Sequence, residues 1–227
     1  MQYGVWYVDP PYDFKTYSAK GTGRAAVSHY DVMTIDEIKA YFVAHRLLAL
    51  PDCALFLWVP GTHTLHIGAL MDAAGFTFAG TGFEWVKPVK AVAQLLADRR
   101  AGRPLSPGAL GKVDWQLGNG YGTRKNMEFC WLGLRGSPQR LSKAISSVIC
   151  EPRGQHSEKP AIVRDRIEAL FPGPYLEMFA RSTALGWHCL GDQVGLLDHG
   201  PVKTRRQPSS LVVRPQIRRD SLTASKV

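Results

Sequence analysis

The chain has 227 residues, 45% of them hydrophobic, and a formal net charge of +9. This is enough apolar material for the core of one sizeable domain or two small ones. No apolar run reaches membrane-spanning length, and no basic lead precedes the short apolar run at the N-terminus, so we expect neither a membrane span nor a signal peptide. The composition predicts a soluble, cytoplasmic protein.

Positive charge is concentrated near the C-terminus. Residues 201–227 carry seven Lys or Arg against one Asp, together with three prolines and several Ser and Thr. This composition predicts a basic, flexible tail over 198–227 that follows a domain spanning 1–197. The tail is either attracted to the phosphates of a nucleic acid or is a solvated terminus.

Metal-binding signals are weak in this sequence. The four cysteines have no paired spacing, which predicts reduced, mostly buried thiols rather than disulfides or a zinc site. His63 and His66 are three residues apart, but no third ligand lies at a useful spacing. We therefore favour the start of a surface helix over a metal site, and predict no metal.

The first predicted element is a short buried strand over residues 5–8, rich in Val, Trp and Tyr. It ends at Asp9-Pro10-Pro11-Tyr12, where the prolines remove backbone donors and bar helical geometry. A carboxylate, a backbone carbonyl and an aromatic ring therefore stand on stiff backbone at a strand's carboxyl end, where open α/β sheets bind ligands. Asp9 and the Pro10 carbonyl could orient the amino group of an adenine, and Tyr12 could stack on a base drawn from its helix. The alternative is a plain turn.

A polar loop follows over 13–30, and its Lys15 and Arg24 could touch phosphate or simply lie on the surface. Thr34 and Glu37 form a capping box, which predicts a helix over 35–48 ended by Pro51 and Asp52. The continuous apolar run 53–59 predicts a central strand buried on both faces.

The middle of the chain is harder to interpret. We predict a helix over 64–74 closed by Gly75, and a strand over 76–86. Residues 90–115 favour a long basic loop, with a helix over 94–100 as the alternative for that part. A strong strand follows over 127–134, and a short one is possible at 145–149.

The C-terminal part of the domain combines a helix with two strands. We predict the helix over 160–170 and the strands over 175–180 and 186–190. An acid after the second strand of a nucleotide-binding α/β unit meets ribose hydroxyls, which suits Asp192, and Gln193 can add an amide contact. Lys159 and Arg181 are cations that could hold a ligand carboxylate. Each residue alone is more typical of a surface position.

Taken together, these segments resemble the MT-A70-like family of S-adenosylmethionine-dependent adenine-N6 methyltransferases. The matching segments lie in the family's order and span about 3–194: Asp9-Pro-Pro-Tyr12, His29 to Ile38, Leu55 to Val59, Ala74-Gly-Phe76, Thr123 to Phe129, His156-Ser-Glu-Lys-Pro160, Glu177 to Arg181, and Gly186 to Gln193. Tyr12 stands where eukaryotic members have Trp, Thr183-Ala184 where they have His-Asn, and Asp192 where they have Asn.

The resemblance implies an α/β, Rossmann-like methyltransferase sheet with helices on both faces, in permuted order, with the catalytic strand before the cofactor strands. The implied catalytic residues are Asp9, Pro10, Pro11 and Tyr12. The implied cofactor-binding residues are Asp9, Lys159, Phe179, Arg181, Thr183, Asp192 and Gln193. The expected substrate-binding residues are Tyr12, Lys15, Arg24 and Arg124.

The function expected from this resemblance is transfer of a methyl group from S-adenosylmethionine to N6 of adenine in nucleic acid. We favour DNA, as in a prokaryotic or phage modification enzyme, because the domain carries no obvious RNA-binding module; RNA remains the alternative. A catalytically silent nucleic-acid-binding subunit, or a basic nucleic-acid-binding protein without cofactor, are the other possibilities. No membrane partner is expected.

Overall fold

A computed structural model describes residues 1–13, 32–103, 115–116, 118, 122–154 and 158–195. Lys15, Arg24, His156 and the predicted tail over 198–227 lie outside these residues. The strands are β1 (Tyr3–Val8), β2 (Ala49–Val59), β3 (Thr77–Val86), β4 (Met127–Arg135), β5 (Val148–Cys150), β6 (Tyr175–Met178) and β7 (Trp187–Leu190). The helices are α1 (Ile35–His45), α2 (Ile67–Ala74), α3 (Lys90–Arg100) and α4 (Ile162–Leu170), with short 3₁₀ turns at Arg46–Leu48 and Thr64–His66.

The seven strands form one mixed sheet in the order β5-β3-β4-β2-β1-β6-β7. Only β4 runs antiparallel to its neighbours, whereas the other six strands are parallel. Their carboxyl ends therefore share one edge of the sheet, the edge at which such folds bind ligands. The fold is α/β and Rossmann-like, as predicted. The strand that ends at Asp9 precedes β6 and β7 in the chain.

Two apolar clusters, one on each face of the sheet, hold the helices in place. Residues of β1 alternate between them, with Trp6 and Val8 on one face and Val5 and Tyr7 on the other. The first cluster takes the buried side chains of α1 and α2, and the second takes those of α4. β1 and the last seven residues of β2 are buried throughout. The residues that follow their carboxyl ends are therefore attached to the closely packed centre of the sheet.

The capping box is confirmed at the start of α1, where the Thr34 side chain accepts from the Glu37 backbone and the Glu37 carboxylate accepts from Thr34. The helical stretch ends at the predicted residue, because the 3₁₀ turn Arg46–Leu48 continues α1 to Leu48. The stop predicted at Pro51 and Asp52 is wrong, because the chain enters β2 at Ala49 and Pro51 lies inside that strand. An irregular register between β1 and β2 accommodates it, because Tyr3 pairs with Ala49 while Val5 pairs with Ala54.

Three other boundaries differ from the predictions. The helix considered over 94–100 is confirmed and is longer than expected, because α3 already begins at Lys90 and buries Val92. The short strand β5 lies at Val148–Cys150, where it pairs with Glu84–Val86 of β3. Strand β6 stops at Met178 rather than at residue 180, because Phe179 has a φ of +60° and leaves the extended conformation.

All four cysteines lie within the described residues, and none is in a disulfide. Across the described ranges, every helix is too short or too polar to cross a membrane.

Candidate functional site at the carboxyl edge of the sheet

The corner at Asp9 is fixed by backbone hydrogen bonds rather than by proline alone. The Tyr12 N–H donates to the Pro10 carbonyl at 2.9 Å, closing a tight turn. Met33, just before α1, donates its N–H to the Pro11 carbonyl at 2.7 Å and accepts from the Asp13 N–H at 3.0 Å. The corner is thereby attached to the start of α1 as well as to β1. The Pro10 carbonyl, expected to be available to a ligand, already accepts one hydrogen bond and has one lone pair left.

Asp9 meets Lys159 across 150 positions of sequence. The Lys159 Nζ lies 2.6 Å from Asp9 Oδ2, and the Asp9 side chain keeps 32% exposure. Burial raises the pKa of Asp9 above its ordinary value, against the opposing effect of the Lys159 and Arg181 cations. The two distant motifs therefore form one site.

This pair opens into a cleft between β1, β6 and the N-terminus of α4. The lining residues are Tyr7, Asp9, Glu158, Lys159, Pro160, Ala161, Arg164, Glu177, Phe179, Arg181 and Ser182. The structure thus brings together four residues predicted for the site: Asp9, Lys159, Phe179 and Arg181.

Beyond Phe179, the site extends toward the residues that follow β7. The ring lies 4.7 Å from the ring of Tyr41 on α1. Burial raises the pKa of Tyr41 to about 12, and the charge of nearby Asp192 adds to the shift. Asp192 is therefore close to the Phe179–Tyr41 pair, although it does not line the cleft itself. Thr183 and Gln193 also lie outside the cleft lining.

Tyr12 is placed differently from the prediction. Its side chain is 2% exposed, and its hydroxyl donates to the Trp58 carbonyl at 3.0 Å. The ring lies 5.1 Å from that of His63 and belongs to the apolar core. The expectation of an open stacking platform is therefore wrong for this structure, because the tight turn at Pro10 directs the ring into the core.

Arg124 lies at the correct edge of the sheet. It is exposed and precedes β4, whose Phe129 pairs with Val59 at the carboxyl end of β2. Because β4 is antiparallel, its beginning and the carboxyl ends of the parallel strands are at the same edge.

Sequence reasoning missed an ion pair on the floor of the cleft. Glu177 is 8% exposed, and both its oxygens accept from Arg164, at 2.7 and 2.9 Å. Arg164 also donates to Ser182 Oγ at 3.0 Å, which connects β6 to the segment carrying Arg181. An acid inside an apolar strand, Tyr-Leu-Glu-Met, was the available signal.

A second missed group lies behind Lys159. Its Nζ is 3.5 Å from Glu128 on β4, and Glu128 also pairs closely with Lys87 at the end of β3. Burial opposes ionisation of Glu128, but the two ammonium groups outweigh it and lower the pKa of this carboxyl. The sequence carries no signal for Glu128, because the segment that contains it predicts only a strand.

Comparison with known proteins adds two relatives and one family. A sequence profile of the MT-A70 family matches residues 108–193. The type II methyltransferase M.MunI of Mycoplasma sp is 25% identical over 211 residues, covering 85% of this chain and 78% of that protein. A Medicago truncatula protein whose name describes an MT-A70-like N(6)-adenosine-methyltransferase is 28% identical over 210 residues, covering 88% of this chain.

The chain resembles the MT-A70 family over residues 108–193. The matched profile includes Lys159, Phe179 and Arg181 but begins long after Asp9. The chain spans only 28% of the plant relative's length. The family match and the names of both relatives support methyltransferase activity.

The backbone that follows β7 depends on a glycine. A Cβ at Gly191 would lie 2.5 Å from the Ala180 carbonyl oxygen and 2.7 Å from its nitrogen, and both are backbone atoms that cannot rotate away. We expect Gly191→Ala to lower the free energy of unfolding by about 2 kcal/mol and to displace the neighbouring Asp192. Thermal denaturation measures the first effect. Gly68→Ala is the matched control, since a Cβ there meets nothing within 4 Å.

Proposed function

We propose that this protein transfers the methyl group of S-adenosylmethionine to N6 of adenine in nucleic acid, with DNA as the favoured substrate. The observation that carries the proposal is the convergence at Asp9. A carboxylate on a fixed corner opens into the same cleft as two cations and an aromatic ring from the far end of the chain. The match to the MT-A70 family favours methyl transfer to adenine as the reaction in this cleft.

The side chains around the cleft suit S-adenosylmethionine. Lys159 and Arg181 supply cations for its carboxylate, and Phe179 supplies an apolar face. Asp192 supplies an acceptor for ribose hydroxyls beside the Phe179–Tyr41 pair. When bound, this cofactor supplies an electrophilic methyl group on a sulfonium, so the transfer requires no metal. Thr183 and Gln193 follow the two strands that frame this region and complete the proposed set.

Asp9 has the central role in the proposed chemistry. The amino group of adenine is a poor nucleophile, because its lone pair is delocalised into the ring. An ionised Asp9 accepts an N–H of that group, orients it, and stabilises the positive charge that develops on nitrogen. The remaining lone pair of the Pro10 carbonyl offers a second acceptor. The protein therefore contributes positioning and electrostatics, and Asp9 needs no unusual basicity.

The substrate polymer is inferred from the exposed basic edge and from coverage of the relatives. Arg124 and Lys125 are exposed at the edge that carries Asp9, where a phosphate backbone can lie. The match covers 78% of the protein named a type II methyltransferase and 28% of the one named an adenosine methyltransferase. We therefore favour DNA and keep RNA as the alternative.

The direct test is a methyl-transfer assay with the full chain. Purified protein is incubated with labelled S-adenosylmethionine and either unmethylated DNA duplexes of varied sequence or RNA of the same base sequences. Digestion to nucleosides and mass spectrometry then identify the product. We expect N6-methyladenine in DNA. Label only in RNA contradicts the substrate, label on cytosine contradicts the target atom, and no label in either polymer contradicts the activity.

A further inference from the structure

We propose that Glu128 and Lys87 are positioning residues that set the charge state of Asp9 through Lys159. This proposal rests on the proposed function, in which Asp9 must be ionised to accept the adenine amino group. It assigns a role to two residues that touch neither substrate nor cofactor in that scheme.

The four side chains form one continuous chain of alternating charge. Lys87 pairs with one oxygen of Glu128, and Lys159 lies 3.5 Å from the other. Lys159 in turn lies 2.6 Å from Asp9 Oδ2. The formal charges of the four groups cancel, so the chain is neutral when every member is ionised.

Each member is held from a different part of the fold. Asp9 follows β1, Lys87 follows β3, Glu128 lies on β4, and Lys159 precedes α4. The ammonium groups also lie over indole rings, Lys87 at 4.3 Å from the Trp85 centroid and Lys159 at 5.3 Å from that of Trp58. Both lysine side chains are 14% exposed, whereas those of Glu128 and Asp9 are 38% and 32% exposed, so water screens the ammonium groups less than the carboxylates.

The consequence is that Lys159 is shared between two carboxylates. If Glu128 were absent, Lys159 would neutralise Asp9 alone and weaken its attraction for a developing positive charge. If Lys87 were absent, Glu128 would draw Lys159 toward itself and leave Asp9 with less support for its own charge. Glu128 and Lys87 therefore act on the charge of Asp9 in opposite directions.

The other titratable groups around Asp9 do not reverse these opposite effects of Glu128 and Lys87. Glu128 raises the pKa of Asp9, and Lys159 and Arg181 lower it. Glu177 on β6 is a further acid that interacts with Asp9. Burial raises the pKa of the neighbouring Tyr7, Tyr12 and Cys130 well above their ordinary values, so they stay neutral at moderate pH.

The test compares Glu128→Gln with Lys87→Met, using two readouts. In the cofactor-free protein, the ¹³C carboxyl resonance of Asp9, identified by its loss in Asp9→Asn, is titrated against pH. Glu128→Gln is expected to lower the Asp9 pKa and Lys87→Met to raise it. The double variant, which loses one charge of each sign, is expected to lie between them.

Turnover supplies the second readout. The acidic limb of the kcat profile is expected to move to lower pH in Glu128→Gln and to higher pH in Lys87→Met. At neutral pH we expect kcat to fall about tenfold in Glu128→Gln with a smaller change in KM. Asp72→Asn, which removes an exposed carboxylate on α2, is the control and is expected to match wild type.

Shifts of the same sign in both variants, or no shift in either, overturn the proposal. Thermal melts accompany both readouts, so that a variant that fails to fold is recognised and replaced by Glu128→Ser or Lys87→Gln, which remove the same charge. Glu128→Asp and Lys87→Arg keep the charge, serve as controls, and are expected to retain the wild-type Asp9 titration. If wild type transfers no methyl group, the proposed function fails, whereas the resonance titration still decides whether the four charges are coupled.

Discussion

Replacing Asp9 with Asn is expected to lower kcat by about a thousandfold or more, which corresponds to roughly 4 kcal/mol of transition-state stabilisation. Asn has nearly the shape of Asp, so the corner held by Pro10 and Met33 is preserved. The variant loses the charge that would stabilise the adenine nitrogen as it becomes positive. Single-turnover methyl transfer onto DNA, with product measured as N6-methyladenine, gives the rate.

The same variant is expected to bind S-adenosylmethionine within about tenfold of wild type, because Lys159, Phe179 and Arg181 remain. Lys159 also retains Glu128 at 3.5 Å, so the loss of Asp9 does not leave its ammonium without a counter-charge. Calorimetric titration with the cofactor separates binding from chemistry. Asp72→Asn serves as the matched control. Robust transfer by Asp9→Asn would refute the role given to Asp9, and loss of cofactor binding would reassign it.

Local chemistry made several features predictable from sequence. The capping box at Thr34 requires only two residues three positions apart, and the structure confirms it. The buried strand before Asp9 and the left-handed Gly75 that ends α2 follow from equally short patterns. The resemblance added the convergence of Asp9 with Lys159, which no local pattern contains.

What escaped prediction depends on contacts between distant segments. The coupling of Glu128 to Lys159 arises because β4 inserts antiparallel between β2 and β3. The orientation of Tyr12 is set by a turn and by the Trp58 carbonyl, and neither can be inferred from a motif that only requires an aromatic residue. The course of β2 through Pro51 was missed because proline usually excludes a central strand.

Replacing Arg164 with Met is expected to lower the free energy of unfolding by about 3–5 kcal/mol at neutral pH, because it leaves Glu177 as an uncompensated buried charge. Arg164 donates to both oxygens of Glu177 and to Ser182 Oγ, so three hydrogen bonds are lost together. Chemical denaturation measures the loss. Arg140→Met removes an exposed cation and is expected to change stability by less than about 0.5 kcal/mol.

The stability loss in Arg164→Met should depend on pH with a definite sign. Burial raises the pKa of Glu177 even in the wild type, and Arg164 opposes that shift. Without Arg164 the folded-state pKa of Glu177 rises further above its value in the unfolded chain. A carboxyl whose pKa is higher in the folded than in the unfolded state stabilises the fold at low pH. This stabilisation is lost as pH rises through the folded-state pKa. The deficit of Arg164→Met is therefore expected to shrink as pH is lowered, and a deficit that is constant across acidic and neutral pH contradicts this account.

A double variant separates the buried charge from the lost packing. In Arg164→Met with Glu177→Leu, both charges are replaced by apolar side chains beside Tyr7, a member of the apolar cluster that α4 contacts. We expect this protein to be more stable than Arg164→Met alone, because removing the partner also removes the desolvation penalty. Equal or lower stability of the double variant would show that packing, rather than the orphaned carboxylate, accounts for the loss. Arg164 and Glu177 form the floor of the proposed cofactor cleft. Cofactor affinity measured on the same variants therefore reports whether binding requires the charges of this ion pair or only side chains that fill its space.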